Sequence, residues 1–364
     1  MDDILKMTDL TLDQFDYDLP ESFIAQTPIE PRDSSRLMVV NRATNDLQHR
    51  VFRDIVDYLH AGDVLVLNTT RVIPARLHAT KIETGGAVEV LLLRKIDDVR
   101  WQCLIGGRRV LQGVGLVFGE TGITAQIEQV LQESERVIRF SRPIDDDLNG
   151  LGEIPLPPYI HAPLIDPERY QTVYNKNAGS AAAPTAGLHF TPELLLALRA
   201  KGVRFAEVTL HVGLGTFKPV NVERIVDYHI HSERAILHAV DAKIINEAKL
   251  AGGRVIAVGT TATRALETGG ILSEGGSPAD PYASLEACAW RPVIAFDLDT
   301  NLFIYPGYRW RVVDAMITNF HLPKSSLMMM VSAFAGRELI MHAYETAKRE
   351  GYRFFSFGDA MLIL

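Results

Sequence analysis

Apolar runs along this chain are short, are bounded by glycine, proline or charge, and change period twice. Residues 36–41 and 63–68 are near-continuous apolar runs and read as buried strands. Phe52, Ile55, Val56 and Leu59 fall on one helical face, and Gly62 follows as a stop signal, so residues 52–60 read as a helix. Residues 15–19 read as a strand or an extended arm and 20–26 as a short helix that Pro28 and Pro31 end. Between 76 and 142 no amphipathic helix is visible. β-type runs at 76–82, 87–94, 101–105, 115–118, 123–130 and 136–140 predict a small antiparallel barrel or sandwich. From residue 155 the pattern alternates helix and strand. Helices are expected at 191–201, capped by Thr191 with Pro192 in first position, and at 239–251, 326–335 and 338–350. Strands are expected at 203–212, 254–258 and 352–357. A helix opens at 261–267 and gives way to a Gly/Ser/Pro loop over 269–284.

Composition narrows the class. The chain has 364 residues, 47% hydrophobic and 23% charged, which is globular and long enough for two domains. Its two cysteines, Cys103 and Cys288, exclude a disulfide framework or a multi-cysteine metal centre, and fit a reducing, cytoplasmic setting. No run approaches the ~20 apolar residues of a membrane span, and the acidic start lacks a signal-peptide pattern. The net charge of −8 argues against non-specific nucleic-acid binding. One local basic stretch remains: Arg94, Lys95, Arg100, Arg108 and Arg109 against Asp97 and Asp98. It is either a solvated surface or a phosphate-holding face.

Candidate chemistry sits in the turns. Strand 254–258 runs into Gly259, Thr260 and Thr261 with Arg264 close behind, a strand–glycine–hydroxyl–helix sequence suited to a carboxylate or another anion. An ordinary capped α/β unit gives the same pattern. Residues 177–190 are nearly all small, suited to close backbone approach to a ligand, and end in His189. His211 leads into a Gly-x-Gly turn that lacks a dinucleotide fingerprint, and it reads equally as a core histidine. His229, His231 and Glu233 alternate as on a strand; they form a metal pair, an acid/base pair or a solvent-facing set. Asn319, His321 and Lys324 stand in a loop before the apolar helix at 326.

These stretches in order resemble the S-adenosylmethionine:tRNA ribosyltransferase-isomerase family of the queuosine pathway. The matching residues are Phe15-Asp-Tyr-Asp-Leu-Pro-Glu, Asn68-Thr-Thr-Arg-Val-Ile-Pro-Ala-Arg76, Ala183-Pro-Thr-Ala-Gly-Leu-His-Phe-Thr191, His211-Val-Gly-Leu-Gly-Thr-Phe217, His231-Ser-Glu233, Val258-Gly-Thr-Thr261, Tyr305-Pro-Gly-Tyr308, Thr318-Asn-Phe-His-Leu-Pro-Lys-Ser325 and Phe355-Ser-Phe-Gly-Asp-Ala360. Thr69 and Arg234 depart from the usual pattern, and residues 275–300 are longer and looser than usual. The resemblance implies an α/β fold: a discontinuous α/β domain with a large mixed sheet (1–75 and 150–364) and an inserted small antiparallel β-barrel domain (76–149). It implies that S-adenosylmethionine donates its ribosyl part to 7-aminomethyl-7-deazaguanine at the wobble position of tRNA with a GUN anticodon. The products would be epoxyqueuosine-tRNA, adenine and methionine. No metal or further cofactor, no membrane partner and a monomer are expected.

That chemistry needs a base beside the sulfonium, donors for departing adenine and a proton acceptor for the amine. His189, His211, His231 and His321 are the expected catalytic residues, with Glu233 orienting His231. Thr260, Thr261 and Arg264 are assigned to the methionine carboxylate or ribose, and Arg71 and Lys324 to RNA or an anion. The motifs add Pro184, Thr185, Gly187, Gly213, Gly215, Thr216, Phe217, Gly259 and Asn319 as substrate-binding residues. Tyr305, Tyr308, Phe217 or Trp310 would stack the wobble base. An S-adenosylmethionine-dependent RNA methyltransferase and a non-catalytic tRNA-binding protein are the alternatives, and product identity separates all three.

Overall fold

The computed structural model describes residues 10–131, 134–213, 220–283 and 290–364. A nine-stranded mixed sheet forms the body. Its strand order is Phe296–Thr300, Glu233–Leu237, Arg204–Leu210, Val64–Asn68, Val255–Val258, Ala315–Asn319, Ala360–Ile363, Arg36–Val40, Leu47–Val51. The four strands from Arg204–Leu210 to Ala315–Asn319 run parallel. Both faces are covered, which explains why these strands read as unbroken apolar runs. Val64 and Val66 face one apolar layer with the helices Ala239–Leu250, Gly259–Ser273, Ser326–Ala335 and Arg337–Arg349. Leu65 and Leu67 face the other, with the helix Pro192–Ala200 and the turn Phe52–Asp57.

The direction of the crossovers positions the site. The chain returns from Val64–Asn68 to Arg204–Leu210 over the face that carries helix Pro192–Ala200. It passes from Val255–Val258 to Ala315–Asn319 over the opposite face, through helix Gly259–Ser273. The two connections diverge, and a crevice opens at the carboxyl ends of the two central strands.

All six expected β runs between 76 and 142 form strands, and they close into a barrel when Thr80 pairs with Val117. The barrel has an apolar core of its own around Val90, Cys103, Ile127 and Ile138. Chain entry and exit form one joint, because Gly152 and Glu153 pair with Leu77 and Arg76.

Four expectations fail. The 20–26 helix is only a 3-10 turn, Glu21–Phe23. The 52–60 helix is a 3-10 turn, Phe52–Asp57, that lays Phe52 and Ile55 into the core. The glycine-rich loop does not begin at 269; helix Gly259–Ser273 runs straight through Gly269 and Gly270. There is no room for side chains there: a Cβ on Gly270 would lie 2.6 Å from Val312 Cγ2 and one on Gly269 3.3 Å from Phe296. The last strand is Ala360–Ile363, not 352–357. Phe355 has a positive φ of 68°, which interrupts the apolar run. Asp359 then accepts the backbone N–H groups of Arg36 at 3.0 Å and Arg353 at 2.8 Å, which sets the new strand in register. Strands Phe296–Thr300 and Ala315–Asn319 were not expected either, the first because it alternates acids on a half-exposed edge.

The tight seat of Gly270 generates a prediction of unusual sign. In an exposed helix Gly→Ala stabilises by about 1 kcal/mol. Here overpacking against Val312 costs about 1–3 kcal/mol and dominates. Gly270→Ala is expected to lower the urea unfolding midpoint; an unchanged or higher midpoint would show that the Val312 loop yields freely.

Candidate active site

The crevice is partly open to solvent and encloses a volume of about 90 Å³. Its walls come from six places in the chain. The turn after Val255–Val258 gives Gly259, Thr260 and Thr261; the end of Ala315–Asn319 gives Thr318, Asn319 and His321. The small-residue run gives Ala182 to Ala186, and Tyr159, Val212, Phe355 and Ser356 complete the rim. Pro184, Thr185, Gly259, Thr260, Thr261, Asn319 and His321 therefore meet in one crevice.

Local chemistry explains how they are held. Gly259 takes a φ of +88°, so the strand turns at once into the helix, and Val258 supplies no side-chain cap. The first N–H groups of that helix stay beside the crevice, where the helix dipole favours an anion. Gly187 is required for another reason: a Cβ there would sit 2.0 Å from the Tyr174 hydroxyl. Asn68, absent from the expected site, ties the wall together. Its amide donates to Thr261 Oγ1 and to the Leu210 carbonyl at 3.0 Å each, and its Oδ1 accepts from the N–H groups of Leu210 at 3.0 Å and Thr70 at 3.2 Å. The sequence signal was the polar turn at Asn68 ending an apolar strand.

The histidines divide. His321 lines the crevice; its Nε2 lies 2.7 Å from Thr318 Oγ1, and its backbone is gripped by the Tyr344 and Tyr17 hydroxyls. Burial pushes its pKa down to about 3, so it is neutral near pH 7. His189 lies behind the wall instead of in it. Its ring stacks on Phe52, its Nδ1 meets Ser35 Oγ at 2.7 Å, and its Nε2 accepts from Asn319 Nδ2 at 3.1 Å. Asn319 Oδ1 then accepts from Thr185 Oγ1 at 3.1 Å. His189 is thus placed to orient Asn319, not to touch a ligand. Burial first, then Arg353 and Arg32, drives its pKa down to about 3. His211 is half-buried, contacts Thr70 Oγ1 through Nδ1 at 2.8 Å, and packs under Gly179. Burial, then Arg234, lowers its pKa.

Several expected roles are not what the structure provides. His231 is exposed ahead of strand Glu233–Leu237, whereas Glu233 is buried, ion-paired with Arg264, and accepts the Gly213 N–H at 2.9 Å. The Arg264 guanidinium also donates to the carbonyls of Leu302 and Thr300, at 3.1 and 3.3 Å. It is committed to the fold rather than offered as an anion fork. Among the described residues no group of three or more His, Cys, Asp or Glu is disposed to hold a metal, which leaves the His229–His231–Glu233 metal reading without support. Arg71 pairs with Glu168 and Asn175, and Lys324 with Asp13 at 2.7 Å and Asp16 at 3.1 Å, so neither is a free cation. Tyr305 is covered by Tyr282 at 4.4 Å, the Tyr308 hydroxyl holds Glu267, and Trp310 Nε1 donates to Ala333. These rings pack inward and leave no open platform. Gly215, Thr216 and Phe217 lie outside the described residues.

The description "Queuosine biosynthesis protein" belongs to the family model that matches residues 12–363. The chain belongs to that family. A curated relative from Staphylococcus haemolyticus (strain JCSC1435), named S-adenosylmethionine:tRNA ribosyltransferase-isomerase, is 49% identical over 98% of this chain and 100% of its own length. The crystal structure of an S-adenosylmethionine tRNA ribosyltransferase from Thermotoga maritima is similar with a TM-score of 0.53 and 39% identity, over 96% of this chain and 100% of that one. The two departures from the family pattern are accommodated locally. Thr69 is buried and accepts from Asn177 Nδ2 at 3.1 Å. Arg234 stands opposite Asp299 in the strand pairing and forms ion pairs with Asp297 at 2.7 Å and Asp299 at 3.8 Å.

The buried histidines make stability pH-dependent. Their folded pKa of about 3 lies below the unfolded value of about 6.5, so the unfolded chain takes up protons first. Their contribution is complete above about pH 6.5 and is lost toward about pH 3, at up to about 1.4 kcal/mol per pH unit for each. The urea midpoint is expected to fall between pH 7 and 4.5, and His189→Gln to flatten that slope. Equal slopes in both proteins would remove His189 from the account.

Proposed function

We propose that this chain transfers and isomerises the ribosyl moiety of S-adenosylmethionine onto 7-aminomethyl-7-deazaguanine at the wobble position of tRNA with a GUN anticodon. The products are epoxyqueuosine-tRNA, adenine and methionine. The full-length relative at 49% identity supports the activity. The observation that carries it to this chain is the crevice itself, where an uncapped helix start and a neutral histidine line one space. In this reading the first N–H groups of the helix at Gly259 and the hydroxyls of Thr260 and Thr261 hold the methionine carboxylate. Asn319 and Thr185 hydrogen-bond the adenosine part, with His189 fixing the Asn319 amide from behind.

His321 is then the proton acceptor. In this reading Nε2–H donates to Thr318, which leaves Nδ1 as the accepting nitrogen. A pKa of about 3 makes it a weak base, so the sulfonium must acidify the neighbouring C–H. The same value denies it the role of acid toward adenine. That role passes to neutral donors such as Asn319. Residues 76–149 act as an inserted barrel domain on a body formed by 1–75 and 150–364. The protein works in the cytoplasm as a monomer, with no cofactor beyond S-adenosylmethionine as co-substrate.

The test is incubation of the protein with S-adenosylmethionine and tRNA that carries the aminomethyl base, followed by chromatography and nucleoside mass analysis. Adenine and methionine with a matching mass gain on the base are expected. S-adenosylhomocysteine would place the chain with methyltransferases, and tRNA binding without any product would make it a binding protein. His321→Gln is expected to lower kcat by about 10²–10⁴-fold with little change in KM for tRNA. An unaltered kcat would exclude His321 as the base.

A further inference from the structure

The basic stretch at 94–109 is divided by the fold. Arg94 pairs with Asp299 at 2.9 Å, Lys95 with Asp145 at 2.7 Å and Arg100 with Asp97 at 2.7 Å. Three other barrel arginines, Arg76, Arg139 and Arg142, also face carboxylates. Arg108 and Arg109 have no carboxylate partner among the described residues, and both are exposed. Lys81 joins them: its Nζ donates to the carbonyl oxygens of Arg108 and, at 3.3 Å, Arg109. Three cations thus share one rim, opposed in the adjoining turn by Glu83.

The rim is a built feature. Arg109 has a φ of +56°, which side chains other than glycine rarely adopt. Gly107 just before it, at φ +135°, is pressed to within 2.9 Å of Val88 at its would-be Cβ. Lys81 holds this turn by capping two of its carbonyls, and the exposed Ile82 and Leu111 flank it. The rim also stands far from the body. Strand Arg76–Lys81 starts at the joint with Glu153 and runs outward, so Lys81 lies about 17 Å beyond it.

We propose that Lys81, Arg108 and Arg109 form a phosphate-binding rim that holds the sugar–phosphate backbone of the RNA whose base enters the crevice. This rests on the RNA reading above. A phosphate meeting Arg94, Lys95 or Arg100 must first displace a carboxylate; at the rim it displaces only water. On a chain of net charge −8 the polyanion is repelled overall, so a local unpaired cluster decides where it docks. Contacts of this type position an RNA without reading its sequence.

The test compares the full-length protein with a double variant, Arg108→Gln with Arg109→Asn, which removes two charges and keeps a residue tolerant of positive φ at 109. Binding of a transcribed tRNA with a GUN anticodon is measured between about 50 and 200 mM salt, with Trp101 fluorescence reporting barrel integrity. The variant is expected to bind about tenfold more weakly, with the slope of log affinity against log salt reduced by about two. Adenine release at saturating tRNA that carries the aminomethyl base stays at the wild-type rate. Equal affinity and slope in the two proteins would overturn the rim while leaving the function standing. A wild-type protein that binds no tRNA would overturn both. If barrel fluorescence shifts, Lys81→Gln and Arg108→Gln singly repeat the comparison, and a lost slope in neither refutes the rim.

Discussion

A single buried amide holds the crevice in shape. Asn68 stands at the end of the central strand, where two crossovers diverge and the main-chain ladder runs out. Its side chain bonds the strand beside it through both groups of Leu210, and the helix on the other side through Thr261. A buried donor or acceptor left unpaired there costs about 1–3 kcal/mol, so the three segments are locked to one another. The rest of the wall builds on this lock. Thr261 sets the start of the helix, and Leu210 sets the exit of the chain toward His211.

Burial does most of the chemical tuning. His189 and His321 reach the same low pKa by the same cause, yet one sits behind the wall and the other in it. Polar chains reach from the crevice into the apolar layers: Thr185 to Asn319 to His189 to Ser35 in one direction, Thr318 to His321 in the other. These links rigidify the groups that face the ligand. The Arg264–Glu233 pair serves the same end at the sheet edge, where it fastens the second turn of the helix to the strands beyond.

Much of this was legible in the sequence where local rules agree. The barrel strands alternate cleanly and were found individually, and Thr191 with Pro192 marked a helix start that the structure confirms, with Thr191 Oγ1 accepting from Leu194 at 3.2 Å. The small-residue run and the 319–321 loop each stand out in the sequence, and both line the crevice. What failed depended on partners distant in the chain. Gly269 and Gly270 look like loop residues until Phe296 and Val312 press on them. Arg264 and Lys324 read as free cations until Glu233, Asp13 and Asp16 arrive beside them. His231 and Glu233 alternate in sequence, but the strand begins only at Glu233, so the two face different surroundings.

The joint between barrel and body has an architectural consequence. Arg76 and Glu153 are opposed across one antiparallel pair, so the chain leaves the body and re-enters it at points about 5 Å apart. To the body, the whole intervening segment is topologically a hairpin. Its length adds no gap for the sheet to close, and a tight turn has the reach to replace it. The nine-stranded sheet takes no strand from the barrel, which meets the body at this joint and again where Arg94 pairs with Asp299.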